Sequence, residues 1–286
     1  MKFVPFFQAA AAFFIWSLMG LFLNLSSLTP FQSVWSMNIV GLACLFLYAF
    51  FFGRLKAIRT IQINRYFFIF LAASGFSGVL WMWALTKVPI AQAVLLFNTS
   101  PLFTLLAAYF FLKEALTKEK LFAVLIGLVG VGVLLSGGLS GSIYLVGAFA
   151  IFAAAMLNGL KVVFTKHFSF SYPLWLTIGL ILAAQVIVAT PFAFSEVWII
   201  TPVSVLYTIL LGVFAAVLGF WFFVTSLRKL DASSVMLVAY IEPVLAAVWG
   251  YMFLNQQMTV AVALGGIIIL VAGYLAVHME AIKKKV

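Results

Sequence analysis

Long apolar runs, separated by short polar breaks, cover almost the whole chain. Each run is close to the roughly 20 residues that a helix needs to cross the hydrocarbon core of a bilayer. The breaks are too short to hold a soluble domain, so the pattern predicts an all-α integral membrane protein with ten transmembrane helices. The predicted spans are approximately 5–27, 31–52, 66–86, 89–112, 120–138, 143–165, 172–194, 203–227, 232–254 and 259–278.

Composition leads to the same class of protein. Of the 286 residues, 66% are hydrophobic and 8% are charged, whereas a soluble domain carries about 25% charged residues. This excludes a soluble enzyme, a secreted disulfide scaffold and a disordered chain. The single cysteine, Cys44, lies within an apolar run, so neither disulfides nor a cysteine metal site is expected. The first run has full span length, which favours an uncleaved first helix over a signal peptide.

The basic residues are distributed unevenly among the breaks. If the N-terminus is cytoplasmic, all of the 16 Lys and Arg residues except Lys87 fall on the cytoplasmic side. Such a bias orients helices during membrane insertion. We therefore expect a multi-pass protein of the cell (inner) membrane with both termini in the cytoplasm. The net charge of +10 is then an orientation signal rather than a sign of nucleic-acid binding.

The chain also repeats itself. A shift of 142 residues aligns the two halves without a gap, so that Pro101 falls on Pro243 and Tyr109 on Tyr251. Each half holds five predicted spans, and this odd number makes the second copy enter the membrane from the opposite side. We expect two inverted five-helix repeats, at 1–142 and at 143–286, the second with a short basic cytoplasmic tail. Inverted repeats are typical of transporters that work by alternating access.

Glu242 is the strongest candidate for chemistry. It lies about 11 residues into the ninth run, so at 1.5 Å per residue it is near the centre of the bilayer. An ionisable group at that depth costs several kcal/mol unless it is paired, protonated or hydrated. The functional interpretation is a carboxylate that faces a central cavity and binds substrate or a proton. The alternative is a permanently protonated side chain hydrogen-bonded to a neighbouring helix.

Two prolines at equivalent positions predict broken helices at mid-depth. Pro101 and Pro243 each remove a backbone donor, and the freed carbonyl groups can face a substrate. A simple packing kink is the alternative for either proline alone. Asn98 and Ser100 lie beside Pro101 and are candidates to hydrogen-bond a ligand or the kinked backbone.

Further polar and aromatic residues could complete such a site. Asn158 aligns with Trp16 in the repeat and is the best amide candidate for a ligand contact. Lys161 either binds an anionic substrate or extends to the cytoplasmic interface, and the second is the expectation. Trp16, Trp81 and Tyr240 could form an apolar wall suited to an aromatic or hydrophobic metabolite, with ordinary packing as the alternative. The wall would come from helices 1, 3, 4, 6, 8 and 9.

Features of an enzyme are lacking in the sequence. It has only two histidines, His167 and His278, and neither paired intramembrane acids nor a nucleotide-binding glycine loop. We therefore expect no enzymatic activity, no metal and no cofactor. Transport would be driven by gradients, with protons as a possible coupling ion, or would run downhill.

The repeat resembles a known family. Both copies are similar to the EamA-type repeat of the drug/metabolite transporter superfamily. The segments that carry the resemblance are Ala84–Ala91 with Pro101 and Leu112–Thr117, and Ser226–Leu227 with Glu242-Pro243-Val244, Thr259 and Gly265. Three short motifs depart from the family pattern. The first helix has Trp16-Ser17 where the family commonly has Trp-Gly. The fourth helix of each repeat closes on Lys113-Glu114 and on Asn255-Gln256, where the family usually has Gly-Glu.

That resemblance implies ten helices in two inverted halves and export of amino acids or other small metabolites. The aromatic residues make the aromatic amino-acid exporter branch a candidate subfamily. We expect a secondary transporter that exports amino acids or similar small amphipathic metabolites by alternating access, with a monomer slightly favoured. The alternatives are an uptake permease of the same fold and a non-transporting polytopic membrane protein.

Overall fold

The computed structural model describes residues 3–85, 87–88, 93, 96–135, 142–254 and 260–283, and all regular elements in these ranges are helical. Three elements are not α-helices: a 3-10 helix at Leu55–Thr60 and two π-helices at Ala108–Leu112 and Leu211–Gly219. The α-helices are α1 (Val4–Ser17), α2 (Met19–Leu25), α3 (Pro30–Phe51), α4 (Arg65–Leu85), α5 (Ser100–Ala107), α6 (Lys118–Leu135), α7 (Ser142–Ser171), α8 (Leu174–Ala193), α9 (Pro202–Leu210), α10 (Phe220–Leu227), α11 (Ala232–Val238), α12 (Ile241–Leu254) and α13 (Val260–Lys283).

Six helical stretches in the described part of the chain are long and apolar enough to cross a membrane. They are Val4–Phe22, Pro30–Phe51, Arg65–Ala84, Leu145–Ser171, Leu174–Ala193 and Pro202–Leu227. Shorter apolar helices cover Ser100–Leu112 and Ala263–Ala272. The prediction of an all-helical, multi-pass membrane protein is confirmed. The predicted number of ten is not established, because the remaining runs are shorter helices or extend beyond the described residues.

Two predicted boundaries differ from the structure. The first run is interrupted at Leu18, between α1 and α2. The sixth predicted span corresponds to α7, which continues to Ser171 instead of ending near residue 165. Lys166 and His167 are therefore helical rather than in a loop. Lys166 can extend the helix because Glu114 compensates its charge at 2.8 Å.

The helices connect at two distinct ends of the bundle. We call one the basic end; there Gln62 N–H donates to the Tyr172 hydroxyl at 3.0 Å. At the other, called the opposite end, Ser27 Oγ donates to the Ile199 carbonyl at 3.1 Å and lies 3.3 Å from Thr201 Oγ1. The loops of the basic end are 52–64, 113–117, 172–173 and 228–231, and those of the opposite end are 26–29 and 194–201.

Packing joins the first half of the chain to the second. The most extensive helix contacts are α4 with α7, α6 with α13, α3 with α8 and α4 with α8, each with one member from either half. The largest cluster of buried apolar side chains likewise takes Phe13, Phe67 and Phe70 from the first half and Phe164 and Phe168 from the second. The halves therefore share one core.

Candidate functional site

A cavity of about 350 Å³ lies between the two halves. Its volume is within the range of known small-molecule sites, which is roughly 300–1,000 Å³. It runs from Lys161 and Glu242 to Gly20, Leu21 and Pro30, which lie at the opposite end. Its polar lining is formed by Ser17, Ser77, Asn98, Ser100, Asn158, Lys161, Gln185 and Glu242, and its aromatic lining by Phe13, Trp16, Trp81, Phe97, Phe220, Phe223 and Trp249.

Most of the residues singled out from the sequence meet in this cavity. The structure brings together the following predicted side chains from both halves: Trp16, Trp81, Asn98, Ser100, Pro101, Asn158 and Glu242. They come from helices that are distant in sequence, so the cavity exists only when the two halves pack against each other.

Tyr240 is an exception and corrects our prediction of an apolar wall residue. Its side chain is buried and packs with Leu105 and Val124. A Cβ on Gly127 would lie 2.5 Å from the Tyr240 hydroxyl, so the ring fills the space that this glycine leaves. Its neighbours Ala239 and Glu242 line the cavity, whereas the Tyr240 ring packs in this separate apolar cluster.

Helix breaks lie next to both prolines. Asn98 and Thr99 form a turn before α5, and Pro101 is the second residue of that helix. In the second half, the chain turns at Ala239–Tyr240 before α12, in which Pro243 is the third residue. Proline is well tolerated in a first helical turn because its missing N–H has no partner there anyway. Two helices therefore begin again at the level of the cavity, as in transporters with discontinuous helices.

Asn158 and Ser100 form a polar contact between α7 and α5. Asn158 Nδ2 donates to Ser100 Oγ at 2.7 Å, and both residues are buried. Ser77 Oγ on α4 donates to the Ala154 carbonyl one turn earlier on α7, at 3.2 Å. Since buried polar groups cost free energy unless they are paired, these contacts hold polar side chains at the cavity surface without strain.

Lys161 and Glu242 bring opposite charges to the same cavity. They come from α7 and α12, and both line the cavity. Lys161 Nζ also lies 5.9 Å from the centroid of the Phe220 ring. A cation and an anion in one enclosed, aromatic-lined space favour a ligand that carries both charges.

The expected extension of Lys161 to the cytoplasmic interface is wrong. Because α7 continues to Ser171, about ten residues or 15 Å of helix separate Lys161 from that helix end. The side chain lines the cavity instead. A signal for this was present in the sequence, because Asn158 and Lys161 are three residues apart and so share one helical face.

Aromatic rings fix the apolar side of the cavity. Trp16 Nε1 donates to the Ala215 carbonyl in the π-helix at 3.1 Å, and its ring meets Phe13 edge-on at 5.4 Å. Gly219 allows this approach, because a Cβ there would lie 2.7 Å from Trp16 Nε1. Trp81 packs on Phe97 with ring centroids 4.7 Å apart. These rings are held by several contacts each and form a firm wall.

The cavity lining also includes Ser17, Gln185 and Trp249. Trp249 Nε1 donates to Ser17 Oγ at 2.9 Å, which joins α12 to α1. Asn38 Nδ2 donates to Gln185 Oε1 at 2.9 Å, which leaves the Gln185 amide nitrogen for the cavity side. Each is a Ser, Trp or amide within an apolar run, and such residues most often join helices. Only the tertiary contacts separate them from similar residues elsewhere.

Comparison with known proteins assigns the chain to a class. The model of the EamA-like transporter family matches twice, at residues 5–136 and 145–277. A riboflavin transporter of Brucella anthropi is 35% identical over 113 residues, which is 39% of this chain but only 38% of that protein. The pseudopaline exporter CntI of Pseudomonas aeruginosa (strain UCBPP-PA14) is 24% identical over 222 residues, covering 74% of this chain and 76% of the exporter.

A solved crystal structure has a fold similar to that of this chain. It superimposes with a TM-score of 0.82 over 98% of this chain and 99% of its own, at 20% sequence identity. A likeness at that identity concerns the fold alone.

The uncharacterized transporter YoaV of Bacillus subtilis (strain 168) is 24% identical over 246 residues, or 80% of this chain and 81% of YoaV.

Proposed function

Because the chain belongs to the EamA-like transporter family of membrane proteins, we propose that it exports amino acids or similar small amphipathic metabolites by alternating access. Its relatives are named as transporters and exporters. Transport of a small molecule across a lipid bilayer is therefore its general function. The substrate class, the direction and the mechanism are the parts that we propose.

One observation carries the substrate class: Lys161 and Glu242 line one cavity that aromatic rings also line. A substrate with a carboxylate, an ammonium group and an apolar side chain would satisfy all three surfaces. Lys161 would bind the carboxylate and Glu242 the ammonium group, since charge-assisted hydrogen bonds are among the strongest polar contacts. The volume of about 350 Å³ suits a molecule of amino-acid size.

The other lining residues have supporting roles in this proposal. Asn98, Ser100 and Asn158 would hydrogen-bond the substrate, and Trp16 and Trp81 would contact its side chain. The restarts at Pro101 and Pro243 would present backbone groups at mid-depth. Tyr240 would act only as a packing residue behind the wall. An aromatic side chain fits the ring-lined space, which keeps aromatic amino acids among the first substrates to test.

For the architecture, we propose ten transmembrane helices in two inverted five-helix repeats, residues 1–142 and 143–286. The double family match supports this division. Reciprocal packing supports it too, because α4 packs on α7 while their repeat counterparts, α10 and α1, also pack together. The excess of Lys and Arg at the basic end supports an inner-membrane protein with both termini in the cytoplasm.

The direction in which the cavity extends supports the proposal of alternating access. It reaches the opposite end at Gly20 and Pro30, while the basic end is filled by the large apolar core. With the basic end in the cytoplasm, this is an outward-facing arrangement. Export would require the inward-facing arrangement to form and to receive substrate from the cytoplasm. Glu242 would bind a proton in exchange for substrate, facing Lys161 across the cavity.

Transport by purified protein in liposomes tests the proposal. The substrates would be labelled amino acids that include tryptophan and phenylalanine, with riboflavin and an opine metallophore added because of the named relatives. Each amino acid would be paired with its amide and its N-acetyl derivative, which lack one of the two charges. We expect the zwitterions alone to be transported. Absence of transport across the whole panel would contradict the proposed function.

Proton coupling has its own test in the same system. Glu242→Gln keeps the size of the side chain but cannot release a proton, so transport should no longer respond to an imposed pH gradient. The matched control is Glu196→Gln, because Glu196 is an exposed acid at the opposite end outside the cavity lining. If Glu242→Gln keeps both its rate and its pH response, coupling through this residue is wrong.

A further inference from the structure

A carboxylate from the first half binds the start of a helix in the second half. Glu114 lies in the loop between α5 and α6, at the basic end. Its Oε1 accepts hydrogen bonds from Lys166 Nζ and from the Ala232 N–H, both at 2.8 Å. Its Oε2 accepts from Ser233 Oγ at 3.1 Å. The carboxylate thus joins its own loop to α7 and to α11.

The contact replaces a cap that α11 does not make for itself. Asp231 precedes α11 and is of a residue type that caps helices well, yet its side chain makes no cap hydrogen bond. It pairs instead with Lys120 at 2.8 Å. The first backbone N–H groups of a helix have no partner within it, and here Glu114 supplies one. We call Glu114, Lys120, Lys166, Asp231 and Ser233 the clamp.

Burial makes the centre of the clamp stronger than an ordinary surface ion pair. The side chains of Glu114 and Lys166 are 8% and 14% exposed, whereas that of Asp231 is 43% exposed. Lys166 Nζ also donates to the Leu230 carbonyl at 2.8 Å. Exposed pairs contribute little, but removing one member of a buried pair leaves an uncompensated charge. Glu114 is therefore the member whose loss matters most.

The two helices that Glu114 contacts, α7 and α11, also line the cavity. Lys166 follows Lys161 on α7 by little more than one turn, and α11 contributes Met236 and leads to Glu242. For the cavity to reach the basic end, α11 must move away from the loop that carries Glu114. That movement would break the contacts of Glu114 to Ala232 and Ser233. The clamp thus lies across the exit from the cavity at this end.

The repeat gives the clamp no charged counterpart at the opposite end. In the register that places Pro101 on Pro243, the four charged members of the clamp fall on uncharged residues. Glu114, Lys120, Lys166 and Asp231 correspond to Gln256, Val262, Asn24 and Pro89, respectively. The two ends are therefore unequal in sequence at these positions, and the two ion pairs found among the described residues both lie at the basic end.

We propose that Glu114 is the positioning residue of a latch that holds the basic end closed and biases the resting transporter towards the arrangement open at the opposite end. This rests on the proposed alternating access. Glu114 acts through α11 and does not touch substrate. Weakening the latch shifts the balance between the two arrangements, and a shift in populations changes apparent affinity without any change at the binding site.

Cysteine labelling measures both ends of the cavity without substrate. In a Cys44→Ser background, Gly20→Cys reports the opposite end, since a Cβ there meets nothing within 4 Å. Ser234→Cys reports the basic end, because Ser234 is buried in the first turn of α11 and becomes exposed when α11 moves. A membrane-impermeant maleimide is applied from each side of oriented vesicles. Glu114→Gln should raise the labelling rate at Ser234→Cys by about tenfold and lower that at Gly20→Cys.

The opposite signs of these changes separate a latch from general loosening. A rise at both positions, or at neither, overturns the proposal. Lys120→Gln removes the contacts of Lys120 to Asp231 and Ser233 but leaves those of Glu114, and it should change both rates in the same directions by about twofold. Glu196→Gln is the matched control and should change neither rate. Should Glu114→Gln prove unstable, Lys120→Gln alone decides, and unchanged rates at both positions count against the latch.

Transport measurements distinguish failure of the latch from failure of the proposed function. If the unsubstituted protein transports and Glu114→Gln leaves labelling unchanged, the latch is wrong and the function stands. If nothing in the substrate panel is transported while labelling shifts as expected, the latch exists and the proposed substrate class is wrong. With both correct, Glu114→Gln should lower KM for substrate on the cytoplasmic side by several-fold, while Glu114→Asp, which keeps the charge, should have a smaller effect.

Discussion

The two ends of the bundle stabilise their helix starts in different ways. At the opposite end, Thr29 caps α3 through a reciprocal pair of hydrogen bonds with Gln32, and Thr201 caps α9 in the same way with Ser204. At the basic end, α11 takes its cap from Glu114, more than a hundred residues earlier. A local cap moves with its helix and is kept in every arrangement of the halves. A cap from the other half is kept in only one arrangement, so its free energy stabilises that arrangement relative to the other.

The largest effect should come from the lysine that lines the cavity. Lys161→Met removes the cation proposed to bind the substrate carboxylate. A hydrogen bond to a charged group contributes about 1.5–3 kcal/mol, so transport should fall roughly 10- to 100-fold. Flux into liposomes measures the loss. Lys118→Met, an exposed change at the basic end, should retain normal flux, and equal losses in both variants would contradict the role of Lys161.

Truncating the cap that crosses between the halves should have the next largest effect. Glu114→Ala leaves Lys166 and the start of α11 without their shared acceptor, which should lower the free energy of unfolding by about 2–3 kcal/mol. Thermal unfolding in detergent measures this as a lower Tm. Because the same contact also forms the proposed latch, labelling at Ser234→Cys should rise together with the loss of stability. A stable variant with unchanged labelling would show that the contact is incidental.

The local caps provide the contrast. Thr29→Ala and Thr201→Ala each remove one cap, which typically costs about 1 kcal/mol. Tm should fall slightly in both variants, while the labelling rates at Gly20→Cys and Ser234→Cys keep their ratio. The comparison between the ends fails if a local cap variant shifts that ratio as strongly as Glu114→Ala does.

Salt should have the smallest effect, and only at one end. The pair between Lys120 and Asp231 is partly exposed and contributes less than about 1 kcal/mol. Raising the ionic strength shortens the screening length from roughly 10 Å at 0.1 M to 3 Å at 1 M. Labelling at Ser234→Cys should therefore rise by less than about twofold, while the hydrogen-bonded caps of the opposite end are insensitive. A large salt effect at Gly20→Cys would contradict this assignment of charges.

Sequence patterns were sufficient for the helical class and for much of the cavity. A carboxylate or an amide inside an apolar run is costly in lipid, which is why Glu242, Asn98 and Asn158 stand out among their apolar neighbours. The repeat register identified the prolines, because a match of rare residues in an apolar chain is informative. These signals are local or periodic, and both kinds can be read from one sequence.

Tertiary contacts account for the residues that were missed or misplaced. Lys161 looked like an interfacial lysine because the polar residues after position 165 suggested a helix end, whereas Glu114 compensates Lys166 and lets the helix continue. Tyr240 adjoins Glu242 in sequence but fills the space above Gly127. Glu114 itself looked like an ordinary loop acid. Only the fold brings it to the start of α11.

The shared core has a consequence for how the protein is made. Each half presents its apolar helix faces mainly to the other half, so one half alone has little of its own interior to bury and is not expected to fold as an autonomous unit. After synthesis of the first half, the nascent chain has to wait in the bilayer, with much of its eventual interior facing lipid, until the second half arrives. If the two halves are expressed from separate genes, each half should therefore be recovered when both are expressed together and should be degraded when it is expressed alone.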